Sequence, residues 1–269
     1  MGVLVVRIDQ ADVEACSDWL FQLGATAIEE RASGDELNLI VGFHNDDAAL
    51  AARSLLVERW PCRLEDTGDE AVWRDEWMKW IEPIEVADFV VHAPWHDPSS
   101  WPAGAADISI DPGRAFGSGH HPTTRLAIAA LHEAVVSGAS VLDVGCGTGI
   151  LSIAAAKLGA KRVVGIDLDY DILEVADANV EANRVSSIVQ LRTDPLGTID
   201  DDYDVVVANI VIGDLLPLMA TLVDLTKGVL ILSGFLDDQF ERLLAAVHVT
   251  VVQRSTVDDW GCVTLLPSV

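Results

Sequence analysis

The sequence predicts an α/β protein with a large, mostly parallel sheet, a terminal antiparallel hairpin and a small α+β domain at its N-terminus. Three observations carry this prediction. The first 66 residues follow the order βαββαβ, which is typical of a ferredoxin-like module. From residue 106 onward, apolar strands alternate with helical runs, which indicates right-handed crossovers and a sheet covered on both faces. Two strand-like runs then close the chain.

The N-terminal module is delimited by turn and stop residues. Asp9 or Asp12 can cap a first helix that Gly24 stops, and a second helix opens at Asp46 and ends before Pro61, because glycine and proline favour helix termination. A turn cluster at 33–35 joins the two middle strands. The predicted strands are 3–8, 26–30, 37–43 and 62–64.

The segment after this module predicts a single helix over 69–81. Trp73, Trp77 and Trp80 stand at i, i+4 and i+7, so they share one face. We expect that face to pack against a core or a neighbouring domain; a surface for stacking a substrate is the alternative. The predicted division of the chain is therefore a domain at 1–66, a linker helix at 67–83 and a larger domain at 84–269.

The larger domain begins irregularly and becomes regular. A loop at 94–104 precedes a short strand at 108–110, and a glycine-rich loop at 111–121 leads into a helix that runs to about Val136. Pro122 suits the first turn of that helix. The strands predicted after it are 140–144, 162–167, 187–192, 203–208 and 228–233, followed by 247–253 and 262–266 as the terminal hairpin.

Composition restricts the partners of the chain. There are 43 acidic and 17 basic residues, for a formal charge of −26, which argues against a surface that binds nucleic acid or a membrane directly. Attraction of a basic partner, and solubility or adaptation to a salty cytosol, are both open explanations of this charge. The four cysteines are far apart in sequence, and no signal peptide or membrane-length apolar run is apparent, so we expect a cytoplasmic protein.

The strongest motif is Val141-Leu-Asp-Val-Gly-Cys-Gly-Thr-Gly149, between a predicted strand and a predicted helix. Its glycines permit close backbone approach to a ligand, and Asp167 at the end of the next strand can accept both ribose hydroxyls. Ile150 stands where the dinucleotide fingerprint needs glycine, which makes a dehydrogenase the minor alternative. With Asp143 upstream, the spacing resembles the first motif of class I methyltransferases, whose fold is Rossmann-like and whose cofactor is S-adenosylmethionine.

Asn209 follows the strand at 203–208 and should lie at the same sheet edge as the glycine motif. Its carbonyl oxygen could accept N–H groups from an attacking amine, which makes Asn209 our candidate catalytic residue. A simple turn role is the alternative. Asp194 could meet an adenine amino group, although helix capping or solvation explains it nearly as well.

A more specific resemblance rests on four segments taken in order. They are the loop Asp111-Pro-Gly-Arg-Ala-Phe-Gly-Ser-Gly-His-His-Pro-Thr-Thr, the glycine motif, the Gly-Ile-Asp strand end at Asp167, and Ala-Asn-Ile-Val at Asn209. Together they resemble the bacterial methyltransferases of ribosomal protein eleven of the large subunit. The likeness covers residues 70–269 well and the first 66 residues mainly in element order.

This resemblance implies trimethylation of lysine side chains and of the N-terminal amine of ribosomal protein eleven, free or on the ribosome. It also implies that the N-terminal domain docks the substrate and swings on the linker. The implied S-adenosylmethionine contacts are Thr124, Gly145, Asp167 and Asn209, with Phe116 and Gly147 as further candidates. We expect a monomer.

Two departures from the family pattern keep the substrate open. The family's Gly-Thr-Gly-Thr-His is Gly117-Ser-Gly-His-His121 here, and its Asn-Ile-Leu-Ala is Asn209-Ile-Val-Ile. Another protein, a small amine or a non-catalytic binding role are the alternatives. His120 and His121 have no acidic or cysteine partner at a metal-ligand spacing, so we expect no metal site.

Overall fold

The computed structural model divides the chain into two compact units, Met1–Ile81 and Glu82–Val269. It describes residues 2–9, 12–23, 25–33, 36–43, 46–57, 59–65, 82–97, 99, 101–102, 104–111, 115, 117–245 and 247–267. The tryptophan-bearing helix predicted over 69–81 lies outside these residues, so it stays a prediction.

The first unit is a four-stranded antiparallel sheet with two helices. Its strand order, β2-β3-β1-β4, is that of a ferredoxin-like module. Side chains alternate along β1, so that Leu4 and Val6 pack in the main core while Val3 and Val5 belong to a separate small cluster with Ile40. The elements are β1 (Gly2–Ile8), α1 (Val13–Gln22), β2 (Ala25–Ser33), β3 (Glu36–Phe43), α2 (Asp46–Leu56) and β4 (Cys62–Glu65).

The second unit opens with a small three-stranded sheet in the order β5-β6-β7. Its strands are β5 (Ile84–Val86), β6 (Phe89–His92) and β7 (Ala106–Ser109). The last two run parallel, with Val91 opposite Ile108. Sequence analysis missed β5 and β6, because strands of three and four residues are too short to display an alternating pattern.

The main sheet of the second unit has seven strands in the order β10-β9-β8-β11-β12-β14-β13. All neighbouring strands are parallel except the pairs that include β14, which lies antiparallel between β12 and β13. The predicted mostly parallel sheet with a terminal hairpin is thus confirmed. The strands are β8 (Ser140–Val144), β9 (Arg162–Ile166), β10 (Val189–Arg192), β11 (Tyr203–Asn209), β12 (Thr226–Leu236), β13 (Val249–Val257) and β14 (Trp260–Pro267).

Helices cover both faces of this sheet. Val141 of β8 belongs to one core cluster, whereas its neighbours Leu142 and Val144 belong to the cluster on the other face. Among the described residues, no helix has both the length and the apolar character to cross a membrane. The helices are α3 (Pro122–Ala134), α4 (Ile150–Lys157), α5 (Tyr170–Ala182), α6 (Ile212–Asp224) and α7 (Phe240–Leu244).

Candidate functional site

The turn after β8 has a backbone that only glycine adopts readily. Gly145, Gly147 and Gly149 have φ values of 71°, 54° and 80°, in the left-handed region. A Cβ atom on Gly145 would overlap Cγ2 of Ile210. The N–H of Gly145 donates to the Ile166 carbonyl over 2.9 Å, so the turn is tied to the end of β9 at the carboxyl edge of the sheet.

Asp167 lies directly against this turn. Its Oδ2 accepts the N–H of Gly147 over 3.1 Å and its Oδ1 accepts the N–H of Asp169 over 3.1 Å. Each carboxylate oxygen keeps a further lone pair for another donor. Leu168 and Tyr170 beside it are 77% and 66% exposed, so an acceptor pair is flanked by open apolar surface.

Asp143 is buried beneath the turn. Ser152 Oγ donates to its Oδ2 over 2.7 Å, whereas its Oδ1 has no hydrogen-bond partner among the described residues. Burial raises the pKa of Asp143 to about 7, opposed by the Ser152 hydrogen bonds and reinforced by the negative charge of Asp167.

Asn209 ends β11 at the same edge of the sheet. Its Nδ2 donates to Thr124 Oγ1 over 3.4 Å, and its Oδ1 is buried without a partner among the described residues. Thr124 is fully buried in the first turn of α3. A carbonyl oxygen that is withheld from water and unpaired is poised to accept a donor from a bound molecule.

Gly117 and Gly119 of the glycine-rich loop 111–121 pack against the turn and the small sheet. A Cβ on Gly117 would lie 2.7 Å from Thr148 Oγ1, and one on Gly119 would lie 2.7 Å from Val91 Cγ1. Thr148 Oγ1 donates to the Gly117 carbonyl over 2.8 Å. Phe116 lies outside the described residues, so its predicted contact stays a prediction.

The two adjacent histidines of this loop do different things. His120 Nε2 lies 2.9 Å from the Glu82 carbonyl, to which it can donate. His121 caps α3, since its Nδ1 accepts the N–H of Thr123, and its ring lies 4.8 Å from that of Trp260. Within the described part of the chain, no three His, Cys, Asp or Glu side chains form a group that could hold a metal ion.

Sequence analysis missed several side chains that build the site. Asn179 on α5 and Asn183, which follows the last residue of α5, are both buried and bond to backbone groups outside the helix. The only sequence signal is that two amides stand four residues apart on a face that otherwise packs inward. Asp194, which sequence analysis left open, forms an ion pair with Arg192.

The comparisons with known proteins agree on one family. The model of the family described as Ribosomal protein L11 methyltransferase (PrmA) matches residues 43–266. The chain is 34% identical to the ribosomal protein L11 methyltransferase of Myxococcus xanthus, over 96% of this chain and 95% of that protein. It is 36% identical to that of Cupriavidus taiwanensis, over 90% of each.

A solved structure agrees with these sequence matches. The crystal structure of a ribosomal protein L11 methylase from Lactobacillus delbrueckii subsp. bulgaricus is similar with a TM-score of 0.65 and 31% sequence identity. The match covers 70% of this chain and 100% of the other.

Proposed function

The chain belongs to the family of ribosomal protein L11 methyltransferases, and from this premise we propose how its residues methylate amines of that protein. It is an S-adenosylmethionine-dependent protein methyltransferase whose substrate is ribosomal protein L11, methylated on lysine side chains and on the N-terminal amine. The observation that carries the assignment to this site is the buried, unpaired Oδ1 of Asn209 at the same sheet edge as the Gly147–Asp167 contact.

The residues at this edge fit S-adenosylmethionine. The left-handed backbone of Gly145 and Gly147 leaves room for close approach, and Asp167 offers carboxylate lone pairs for ribose hydroxyls. We assign the cofactor contacts to these three residues together with Thr124 and Asn209, and Phe116 remains a further candidate. When bound, S-adenosylmethionine supplies a methyl group on a positively charged sulfur, which makes a good leaving group.

Asn209 orients the amine that accepts the methyl group. Its Oδ1 accepts an N–H of the neutral amine, so that the nitrogen lone pair is directed at the transferred carbon. Only about one lysine in a thousand is neutral near pH 7.4. Apolar surroundings lower a lysine pKa, and Val211 beside Asn209 contributes exposed apolar surface. Water can take the released proton, so no dedicated general base is required.

The net negative charge of the chain supports capture of the substrate rather than the methyl-transfer step. A net charge of −26 attracts a basic ribosomal protein over distance. Carboxylates close to the amine would stabilise its protonated form and oppose transfer. We therefore assign docking of the substrate to the domain at 1–66, reorientation to the linker at 67–83 and transfer to the domain at 84–269.

We further propose that the enzyme acts in the cytoplasm as a monomer without binding nucleic acid directly. The excess of 43 acidic over 17 basic residues supports the last point, since a nucleic-acid surface needs clustered positive charge.

The test is methyl transfer from isotopically labelled S-adenosylmethionine to the host's ribosomal protein L11, followed by mass spectrometry. We expect mass gains in steps of one methyl group on lysines and on the N-terminus, lost in Asp167→Ala and kept in Asp177→Ala, which removes an exposed carboxylate elsewhere. Cofactor binding without transfer to this protein would direct the search to another amine. Absence of cofactor binding would refute the enzyme assignment.

A further inference from the structure

We propose that Asn179 is a positioning residue that fastens the glycine-rich loop 111–121 to the turn at 145–149. Asn179 lies on α5 and is 2% exposed. Its Oδ1 accepts the N–H of Asp111 over 2.9 Å, and its Nδ2 donates to the carbonyls of Asp111 and Thr148, each over 3.0 Å. One side chain thus joins the start of the loop to the turn.

Thr148 makes the second attachment between the same two segments. It is fully buried, and its hydroxyl donates to the Gly117 carbonyl over 2.8 Å. The loop is therefore attached to Thr148 at two points. Asp111 is attached through Asn179, and Gly117, six residues later, is attached directly. We call Asn179, Thr148 and their hydrogen bonds the loop clamp.

A neighbouring residue provides a natural comparison. Asn183, one helical turn after Asn179, uses its Oδ1 to accept the Ser109 N–H over 3.0 Å and its Nδ2 to donate to the Ser109 carbonyl over 2.6 Å. The chemistry matches that of Asn179, and both side chains are buried. Asn183, however, bonds to strand β7 and to the backbone carbonyl of Asn179, and among the described residues it makes no hydrogen bond to the loop or the turn.

The loop clamp should matter for cofactor affinity because binding to a loosely held loop must also order that loop. A buried amide with all its donors and acceptors paired restricts both segments before any ligand arrives. This inference rests on the proposed function, since it assumes that the loop and the turn both contribute to the S-adenosylmethionine site.

The experiment compares Asn179→Ala with Asn183→Ala in the full chain. Three quantities are measured: the urea midpoint of unfolding, hydrogen exchange of amides in 115–121 in the ligand-free enzyme, and the Kd of S-adenosylhomocysteine by calorimetry. We expect both variants to lower the midpoint. Only Asn179→Ala should speed exchange in the loop and raise the Kd, by roughly tenfold.

Equal effects of the two variants on exchange and Kd would overturn the inference, as would an Asn179→Ala enzyme with unchanged exchange. If the wild-type enzyme binds no S-adenosylhomocysteine, the proposed function fails, while the exchange comparison still decides whether the clamp exists. Thr148→Val and Thr148→Ser give a second pair in case Asn179→Ala does not fold. Thr148→Val should speed exchange in the loop and raise the Kd, as Asn179→Ala does. Thr148→Ser should leave both at the wild-type values, because serine keeps the hydroxyl.

Discussion

The amide nitrogen of Asn209 donates to the Thr124 hydroxyl oxygen over 3.4 Å, which leaves the Asn209 carbonyl oxygen as the free end of the side chain. That oxygen is buried and unpaired among the described residues. Thr124 is itself fully buried in the first turn of α3, so its hydroxyl is a fixed reference for the amide. In this orientation of the amide, the side chain offers an acceptor, and not a donor, at the carboxyl edge of the sheet.

Loss of this acceptor should reduce transfer more than cofactor binding. We expect Asn209→Ala to lower kcat by roughly 100-fold, because the amine loses the group that aligns it. Thr124→Val should give a smaller loss since the amide can then rotate, and Thr124→Ser should restore activity. Single-turnover methyl transfer and calorimetric cofactor binding separate the two steps. Full transfer by Asn209→Ala would show that the orienting role is wrong.

Two glycines, Gly138 and Gly145, allow the cost of a left-handed backbone and the cost of an atomic overlap to be measured separately. Gly145 and Gly138 have φ values of 71° and 87°, but a Cβ on Gly138 would meet no atom within 4 Å, whereas one on Gly145 would overlap Ile210. Gly138→Ala should cost about 1 kcal/mol of stability from left-handed strain alone and keep cofactor affinity. Gly145→Ala should cost more and abolish cofactor binding.

The check for this pair is chemical denaturation with calorimetry, and Ile210→Ala added to Gly145→Ala should recover part of the stability. Equal destabilisation by the two alanines, with cofactor binding intact in both, would mean that the close approach of Ile210 to Gly145 has no role in the site.

The sequence predicts those features of the fold that depend on local pattern. Strand β8 occupies the predicted 140–144, because an apolar run followed by glycines predicts a buried strand that ends in a turn. The meeting of Asp167 with Gly147 follows from topology, since carboxyl ends of parallel strands share one edge. Helix α3 ends at Ala134 rather than near Val136, within the usual uncertainty of helix ends.

Other features depend on contacts between distant residues and leave no local pattern. Asn179 bonds to Asp111, 68 positions away, and Asn209 bonds to Thr124, 85 positions away. Neither the amide orientation of Asn209 nor the loop clamp can be read from spacing. Strands β5 and β6 of the small sheet were missed for a different reason, because three and four residues are too few to display an alternating pattern.

The buried Asp143 should make stability depend on pH. Its native pKa of about 7 exceeds the ordinary 3.8 because burial disfavours the charged form, so between pH 4 and 7 the folded state binds more protons than the unfolded state. Wild-type stability relative to Asp143→Asn should therefore fall as pH rises through this window, by about 4 kcal/mol at most, and stay level above it.

Urea unfolding of both proteins at several pH values measures this difference. Ser152→Ala provides the control, since loss of the hydroxyl that donates to Asp143 should raise the native pKa further and extend the fall to higher pH. A stability difference between wild type and Asp143→Asn that does not change with pH would contradict the prediction.

His121 should produce the opposite dependence on pH. Burial, with Arg125 nearby, lowers its pKa from 6.5 to about 4, and its Nδ1 accepts from the N–H and the hydroxyl of Thr123. Between pH 6.5 and 4 the unfolded chain binds a proton that the folded chain does not, so stability is lost as pH falls through this window.

His121→Asn keeps a capping acceptor but cannot titrate. The stability of wild type relative to this variant should hold constant above pH 7 and decline below it. Thermal or urea unfolding from pH 4 to 8 measures the decline, and a constant difference over that range would show that His121 is not held neutral by its surroundings.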